Sequence, residues 1–283
     1  MAREPGTAYL TRPEGRIAYD VAGDGPLVVC APGMGDLRSV YRFLAPDLVD
    51  AGYRVATMDL RGHGDSDATF SSYDDVAAAT DLVALVDELG GPAVLVGNSM
   101  AAGAAVWAAA EAPDRAAGLV LMGPFVRNTP VGFVARLSFR VALLRPWGLA
   151  AWNAYYGKLY PGRPPADLDA HRARIRESLR RPGHWRAFVT TTHTSHAPAE
   201  ARLDEVRAPA LVVMGERDPD FPDPAAEARL VAERLNGKVV MVPGAGHYPQ
   251  AEFPEVVTGL VVEFLSRVAP SSGASPDPGT NRL

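Results

Sequence analysis

The stretch AVLVGNSMAAGAA, Ala93 to Ala105, decides how this chain folds. Ala93–Val96 is a short, uninterrupted apolar run, the pattern of a strand buried on both faces. From Met100 onward the Ala-rich sequence reads as a helix that can approach a sheet closely. Ser99 therefore falls on a strand-to-helix turn, where a serine hydroxyl can stand clear of the backbone as a nucleophile. Such a turn needs small residues two before and two after the serine, and Gly97 and Ala101 are small. The competing reading makes Ser99 an ordinary helix N-cap.

Runs like Ala93–Val96 recur on both sides of it. Leu27–Ala31 stops at Pro32-Gly33, and Tyr53–Met58 at Asp59. Leu119–Met122 stops at Gly123-Pro124, Leu211–Met214 at Gly215, and Lys238–Val242 at Pro243-Gly244. Helical patterns separate them at Val40–Ala51, Tyr73–Leu89, Met100–Ala112, Ala225–Leu235 and Phe253–Val268. The alternation predicts an α/β fold, a doubly wound, mostly parallel sheet. Ala8–Thr11 and Arg16–Val21 read as an antiparallel edge. The alternation fails between Pro124 and about Pro209, where arginines and aromatics recur at helical spacing. The expected organisation is a core of residues 1–123 and 205–268, a helical cap of 124–204 inserted between two strands, and a Ser/Pro/Gly-rich disordered tail of 269–283.

In an open α/β sheet, ligands bind outside the carboxyl ends of the strands, so the residues just past each strand carry the chemistry. After Leu27–Ala31 come Pro32-Gly33-Met34-Gly35, a loop whose backbone N–H groups can face a ligand. With the N–H of Met100, that of Met34 would stabilise a developing oxyanion. After Leu211–Met214 come Glu216, Asp218, Asp220 and Asp223. Asp218 is the choice for the acid that orients a catalytic histidine, with the other three as rivals. After Lys238–Val242 comes the Gly-rich loop holding His247 and Tyr248. Of the six histidines, at 63, 171, 184, 193, 196 and 247, only His247 lies beyond Asp218. That satisfies the chain order serine, acid, histidine.

The 283 residues carry a formal charge of -5, with 47% hydrophobic residues. An acidic balance without basic blocks gives no footprint for nucleic acid or an anionic membrane. The single cysteine, Cys30, forbids an internal disulfide and a cysteine-based zinc site. Leu119–Leu149 is the most apolar long stretch, but Arg127, Arg136, Arg140 and Arg145 interrupt it, so no span is expected. With no secretory h-region at the start, the expectation is a cytoplasmic enzyme, a monomer or homodimer, whose partner is a small-molecule substrate.

With these motifs in place, the chain resembles the α/β-hydrolase superfamily over roughly residues 8 to 268. Asp59-Leu60-Arg61-Gly62-His63-Gly64-Asp65-Ser66 looks like that family's D-x-R-G-x-G-x-S loop, which is chiefly architectural, so His63 is not assigned to catalysis. The resemblance implies that the helical insertion roofs the pocket. Many relatives have His-Gly where this chain has Pro32-Gly33. The serine at the elbow disfavours the epoxide and halide chemistry of relatives that carry Asp there. Gly97-Asn98-Ser99-Met100 is similar to the string in ring-cleavage C–C hydrolases and some enol-lactonases.

The implied mechanism needs no metal or organic cofactor. Ser99 attacks a carbonyl, His247 takes its proton, and Asp218 stabilises the imidazolium. Expected pocket residues are Phe125, Trp147, Trp152, Tyr155, His184, Trp185, Phe188 and Tyr248, with Tyr156 and His193 as further candidates. An apolar pocket points to a serine esterase- or lactonase-like enzyme acting on a hydrophobic acyl compound. The alternatives are C–C cleavage of a diketone-like substrate, which would want a cap arginine (Arg172, Arg174, Arg176 or Arg186), and a non-catalytic ligand-binding protein.

Overall fold

The computed structural model describes residues 6–128 and 132–269. It opens with β1 (Ala8–Arg12), β2 (Gly15–Ala22) and β3 (Leu27–Ala31). A 3-10 turn at Arg38–Tyr41 leads to α1 (Leu44–Asp50) and β4 (Arg54–Met58). Then come α2 (Asp75–Leu89), β5 (Ala93–Asn98), α3 (Met100–Glu111) and β6 (Ala116–Met122). Five helices precede the next strand: α4 (Phe133–Ala142), α5 (Gly148–Lys158), α6 (Leu168–Arg180), α7 (His184–Thr191) and α8 (Ala197–Glu200). The chain closes with β7 (Ala210–Gly215), α9 (Pro224–Arg234), β8 (Lys238–Val242), α10 (Pro249–Glu252) and α11 (Pro254–Val268). The expected disordered tail lies, from residue 270 onward, outside the described residues.

All eight strands form one sheet in the order β1-β2-β4-β3-β5-β6-β7-β8. The β1–β2 and β2–β4 pairs are antiparallel, and the rest are parallel. Uninterrupted apolar strands make sense here because both faces are covered. Leu27, Val29, Ala31, Leu95, Leu121 and Val212 point to the face packed by α2, α3 and α9. Val28, Cys30, Val94, Val96, Val120 and Val213 point to the face packed by α1 and α11. The period of two thus feeds two cores from one run of apolar residues.

Two devices hold the loops over the strand ends. Asp74 caps α2, its carboxylate accepting from the Ala77 N–H at 2.9 Å. The Asp59–Ser66 loop closes on itself: Asp59 accepts from the backbone N–H groups of Arg38 (2.7 Å) and Asp65 (3.0 Å). Ser66 Oγ accepts from the Ala18 N–H (2.9 Å) and donates to the Asp59 carbonyl (3.1 Å). The expected helix Val40–Ala51 is split into the 3-10 turn and α1, with Arg42 and Phe43 between them.

Candidate active site

Ser99 sits between β5 and α3 with φ 56° and ψ −126°, a left-handed-side backbone that a non-glycine residue adopts only when its surroundings hold it there. The Ser99 N–H donates to the Met122 carbonyl at 2.9 Å, and its own carbonyl accepts from Ala102 (3.0 Å) and Phe125 (3.2 Å). A Cβ on Gly97 would lie 2.4 Å from the Ala101 carbonyl oxygen, so the turn admits no side chain there. Ser99 makes no side-chain cap on α3, which removes the N-cap reading.

His247 Nδ1 lies 2.8 Å from Asp218 Oδ2, with both side chains buried. Asp218 Oδ1 accepts from the Asp220 N–H at 3.0 Å, which fixes the carboxylate's plane. Asp220 Oδ2 stands 3.7 Å from the same imidazole nitrogen, beyond a hydrogen bond, and Asp220 instead accepts from the Tyr155 hydroxyl. Of these two carboxylates, Asp218 makes the hydrogen bond to the imidazole. Asp223 is the N-cap of α9 and Glu216 accepts from the Gly244 N–H, so neither rival faces the imidazole. Burial opposes a charge on the His247 ring, but Asp218 and Asp220 outweigh it and push its pKa from 6.5 up to about 9. Burial raises the pKa of Asp220, partly offset by His247.

Shared neighbours link the serine turn to the histidine loop. Asn98 Nδ2 donates to the carbonyls of Met122 (3.0 Å) and His247 (3.1 Å), tying the elbow to the histidine loop. Phe125, bonded through its N–H to Ser99, stacks edgewise at 5.9 Å from the His247 ring. Gly123 lies beneath the pair: a Cβ there would come within 3.1 Å of both Asp218 Oδ2 and His247 Nδ1. Among the described residues no hydrogen bond joins Ser99 Oγ to His247.

The loop after β3 presses on the serine from the other side, since a Cβ on Gly33 would stand 2.7 Å from Ser99 Cβ. His63 fixes this loop. Its Nε2 accepts from the Gly35 N–H at 2.9 Å, while Nδ1 faces the Arg61 carbonyl at 2.9 Å. Burial lowers this ring's pKa, and with Nε2 accepting, Nδ1 is the nitrogen that donates to the Arg61 carbonyl. No loop or cap hydrogen bond among the described residues takes up the N–H of Met34 or of Met100, the first of α3.

A second carboxylate, not singled out by its sequence context, anchors the same loop. Asp36 is fully buried. It accepts from the Tyr156 hydroxyl (2.8 Å) and its own following N–H at Leu37 (2.7 Å), and pairs with His171 Nε2 (2.7 Å). The Tyr156 hydroxyl also meets that of Tyr160 at 3.0 Å, and both rings pack on Tyr248. This network ties the loop after β3 to α5 and α6. Its only local signal is that Asp36 comes directly after Gly35, because its partner lies 135 residues away.

Most expected pocket aromatics do gather. Trp152, Tyr155, Trp185 and Phe188 form one cluster, with Trp152 and Phe188 at 4.7 Å. The Trp152 indole donates to the Gly35 carbonyl at 3.2 Å, so the cluster covers the loop after β3. Tyr248 sets its ring edge-on to His247 at 5.1 Å. His184 is buried in α7, where burial and Arg181 push its pKa down to about 4. Trp147 corrects the expectation: it is 51% exposed and donates to the Val141 carbonyl within its own turn. His193 is exposed as well. An aromatic count cannot tell a lining residue from one on the outer side of the same helices.

The ligand atoms of Asp218, Asp220 and His247 lie within 4.8 Å of one another. Nδ1 of His247 is engaged with Asp218, and Asp220 with Tyr155, so these groups form a hydrogen-bonded chain and not an open ligand set.

A mostly parallel eight-stranded sheet, with a serine on a strained turn and an Asp–His pair behind it, defines a hydrolase built on the α/β-hydrolase architecture. Residues 28–260 match the family model described as "Alpha/beta hydrolase family". The chain belongs to that family. It is similar to the 2-(acetamidomethylene)succinate hydrolase of Mesorhizobium japonicum, with 31% identity over 89% of this chain and 92% of the relative. It is also similar to a 2-hydroxy-6-oxononadienedioate/2-hydroxy-6-oxononatrienedioate hydrolase of Burkholderia vietnamiensis, with 33% identity over 77% of this chain and 78% of that protein. Among solved structures it resembles a thermophilic esterase from Thermogutta terrifontis, with 26% identity, 93% of this chain and 99% of the other covered, and a TM-score of 0.74. No helix among the described residues is long and apolar enough to cross a membrane.

Proposed function

We propose that the chain is a serine hydrolase that cleaves an ester, lactone or related acyl bond of a small, largely apolar substrate. The observation that carries this reading is the strained Ser99 backbone beside the buried His247–Asp218 pair. In the proposed cycle the neutral His247 imidazole takes the Ser99 proton as Oγ attacks the carbonyl carbon. Asp218, accepting at Nδ1, holds the other nitrogen toward the serine and stabilises the imidazolium. The N–H groups of Met34 and Met100 receive the oxyanion, each contributing roughly 3 kcal/mol to the transition state. His247 then protonates the leaving group, and water resolves the acyl-enzyme with the same base. Trp152, Tyr155, Phe188 and Tyr248 supply an apolar wall.

The named relatives, whose printed substrates are a succinate and a dienedioate or trienedioate, favour a second reading, C–C cleavage of a diketone-like substrate. The carboxylate anchor expected for it lacks support in this chain. Arg172 is spent on Asn153 and Asp169, and Arg174, Arg176 and Arg186 are exposed. These features favour a neutral acyl compound.

The test is fluorophosphonate labelling of the wild type and Ser99→Ala, then a panel of neutral esters, lactones and diketone acids. Labelling at Ser99 with turnover of neutral esters is expected, and Ser99→Ala should remove both. Labelling with turnover of only the diketone acids would transfer the assignment to C–C cleavage. A wild type that neither labels nor turns over any compound would make the fold a binding scaffold.

A further inference from the structure

The outer side of the helical insertion carries an uncovered apolar stripe. Nine large hydrophobic side chains are exposed among the described residues, and six of them fall between residues 134 and 147: Val134, Leu137, Phe139, Val141, Leu144 and Trp147. Val134, Leu137 and Val141 keep helical spacing along one face of α4 (Phe133–Ala142), and Leu144 and Trp147 continue it through the next turn. Val134 is 75% exposed, so the stripe starts open to solvent.

The charge along this segment of the chain has one sign, a local excess that the acidic balance of the whole sequence conceals. In a chain of net charge -5, no Asp or Glu occurs from residue 115 to residue 166, while that segment holds six arginines and one lysine. Arg115, Arg127 and Arg163 are paired with Asp87, Glu227 and Glu255 at the core side. Arg140 and Arg145, which flank the stripe, are exposed and make no ion pair with a described residue.

We propose that this face docks on an anionic lipid surface, lying in the interface with Leu137, Val141 and Leu144 in the acyl boundary. Arg140 and Arg145 would meet the headgroups. An amphipathic helix with apolar and cationic faces binds a membrane in this way without spanning it, and an indole such as that of Trp147 suits the headgroup level. A second copy of the chain fits less well. Twofold pairing of the face would bring two copies of Arg140 and Arg145 into one interface, with no acid from this segment to neutralise them.

The experiment is co-sedimentation of the full chain with phosphatidylcholine vesicles, with and without phosphatidylglycerol, alongside light scattering. Expected is binding on the order of tenfold tighter to the anionic vesicles for two unpaired arginines, weakened by salt. Leu137→Glu with Leu144→Glu should abolish it at an unchanged melting temperature. Should that double variant melt early, Arg140→Gln with Arg145→Gln tests the charge alone and should level the two lipids. The proposal is overturned by failure of the wild type to sediment with anionic vesicles, or by equal binding to both lipids. It is equally overturned by a dimer that the Leu137/Leu144 variant converts to monomer.

Discussion

Exchanging Asp218 and Asp220 separately for asparagine separates two carboxylates that both face His247. Asp218 Oδ2 is 2.8 Å from Nδ1 and hydrogen-bonded to it. Asparagine there would present an amide that can hold the wrong tautomer, and kcat should fall about 10⁴-fold, some 5 kcal/mol of transition-state stabilisation. Asp220 Oδ2 is 3.7 Å away, so it acts on the ring only through charge. At an effective dielectric of about 20, that charge is worth at most about 4 kcal/mol, so the expected downward shift of the histidine pKa is about one to three units. With the His247 pKa at about 9, only about 1% of the ring is neutral at pH 7. In the wild type kcat/KM should therefore rise on the order of 50-fold from pH 7 to pH 9. In Asp220→Asn this limb moves to lower pH while the plateau changes by less than about tenfold. The assay is kcat/KM for a chromogenic ester against pH. An Asp220→Asn variant that lost as much as Asp218→Asn, with its limb unmoved, would show that Asp220 orients the imidazole.

The same histidine couples to stability. Its pKa is raised on folding from 6.5 to about 9, so it stabilises the fold fully below pH 6.5, and that contribution is lost as pH rises through 9. The loss is on the order of 3 kcal/mol, to be read from urea unfolding on either side of this window. Gly97→Ala forces a Cβ to within 2.4 Å of the Ala101 carbonyl oxygen and should cost about 1–3 kcal/mol by the same assay. An unaffected variant would mean that the elbow relaxes freely. Asp36→Ala strips the acceptor from the buried His171 and Tyr156 and should cost about 3 kcal/mol. It should lower kcat more than it raises KM, because the network anchors the loop that bears Met34.

The sequence made legible whatever a strand end carries in a few consecutive residues. Leu27–Ala31 and Lys238–Val242 are strands with the expected bounds, because a two-sided sheet writes itself as an unbroken apolar run. The elbow was readable because Gly97 and Ala101 answer one local steric demand. Asp218 and His247 were readable because chain order left His247 no competitor, yet the choice between Asp218 and Asp220 needed coordinates, since 2.8 Å and 3.7 Å separate two carboxylates only two residues apart. Asp36 stayed hidden for the opposite reason. A buried carboxylate is tolerated only with partners, and its partners come from α5 and α6, more than a hundred residues onward. Trp147 shows the same limit from outside the pocket. Trp152 and Trp147 stand five positions apart, which on a helix turns them to different sides, but composition weighs both alike. The unread part of the site is thus the part made by pairing between the loop after β3 and the helical insertion. That is also where this chain departs from the His-Gly of many relatives. His63 bonded to Gly35 and Asp36 bonded to Tyr156 hold a Pro32-Gly33 loop in place from two sides. In the proposed mechanism, such bracing would let the Met34 N–H serve as an oxyanion donor without requiring a histidine at position 32.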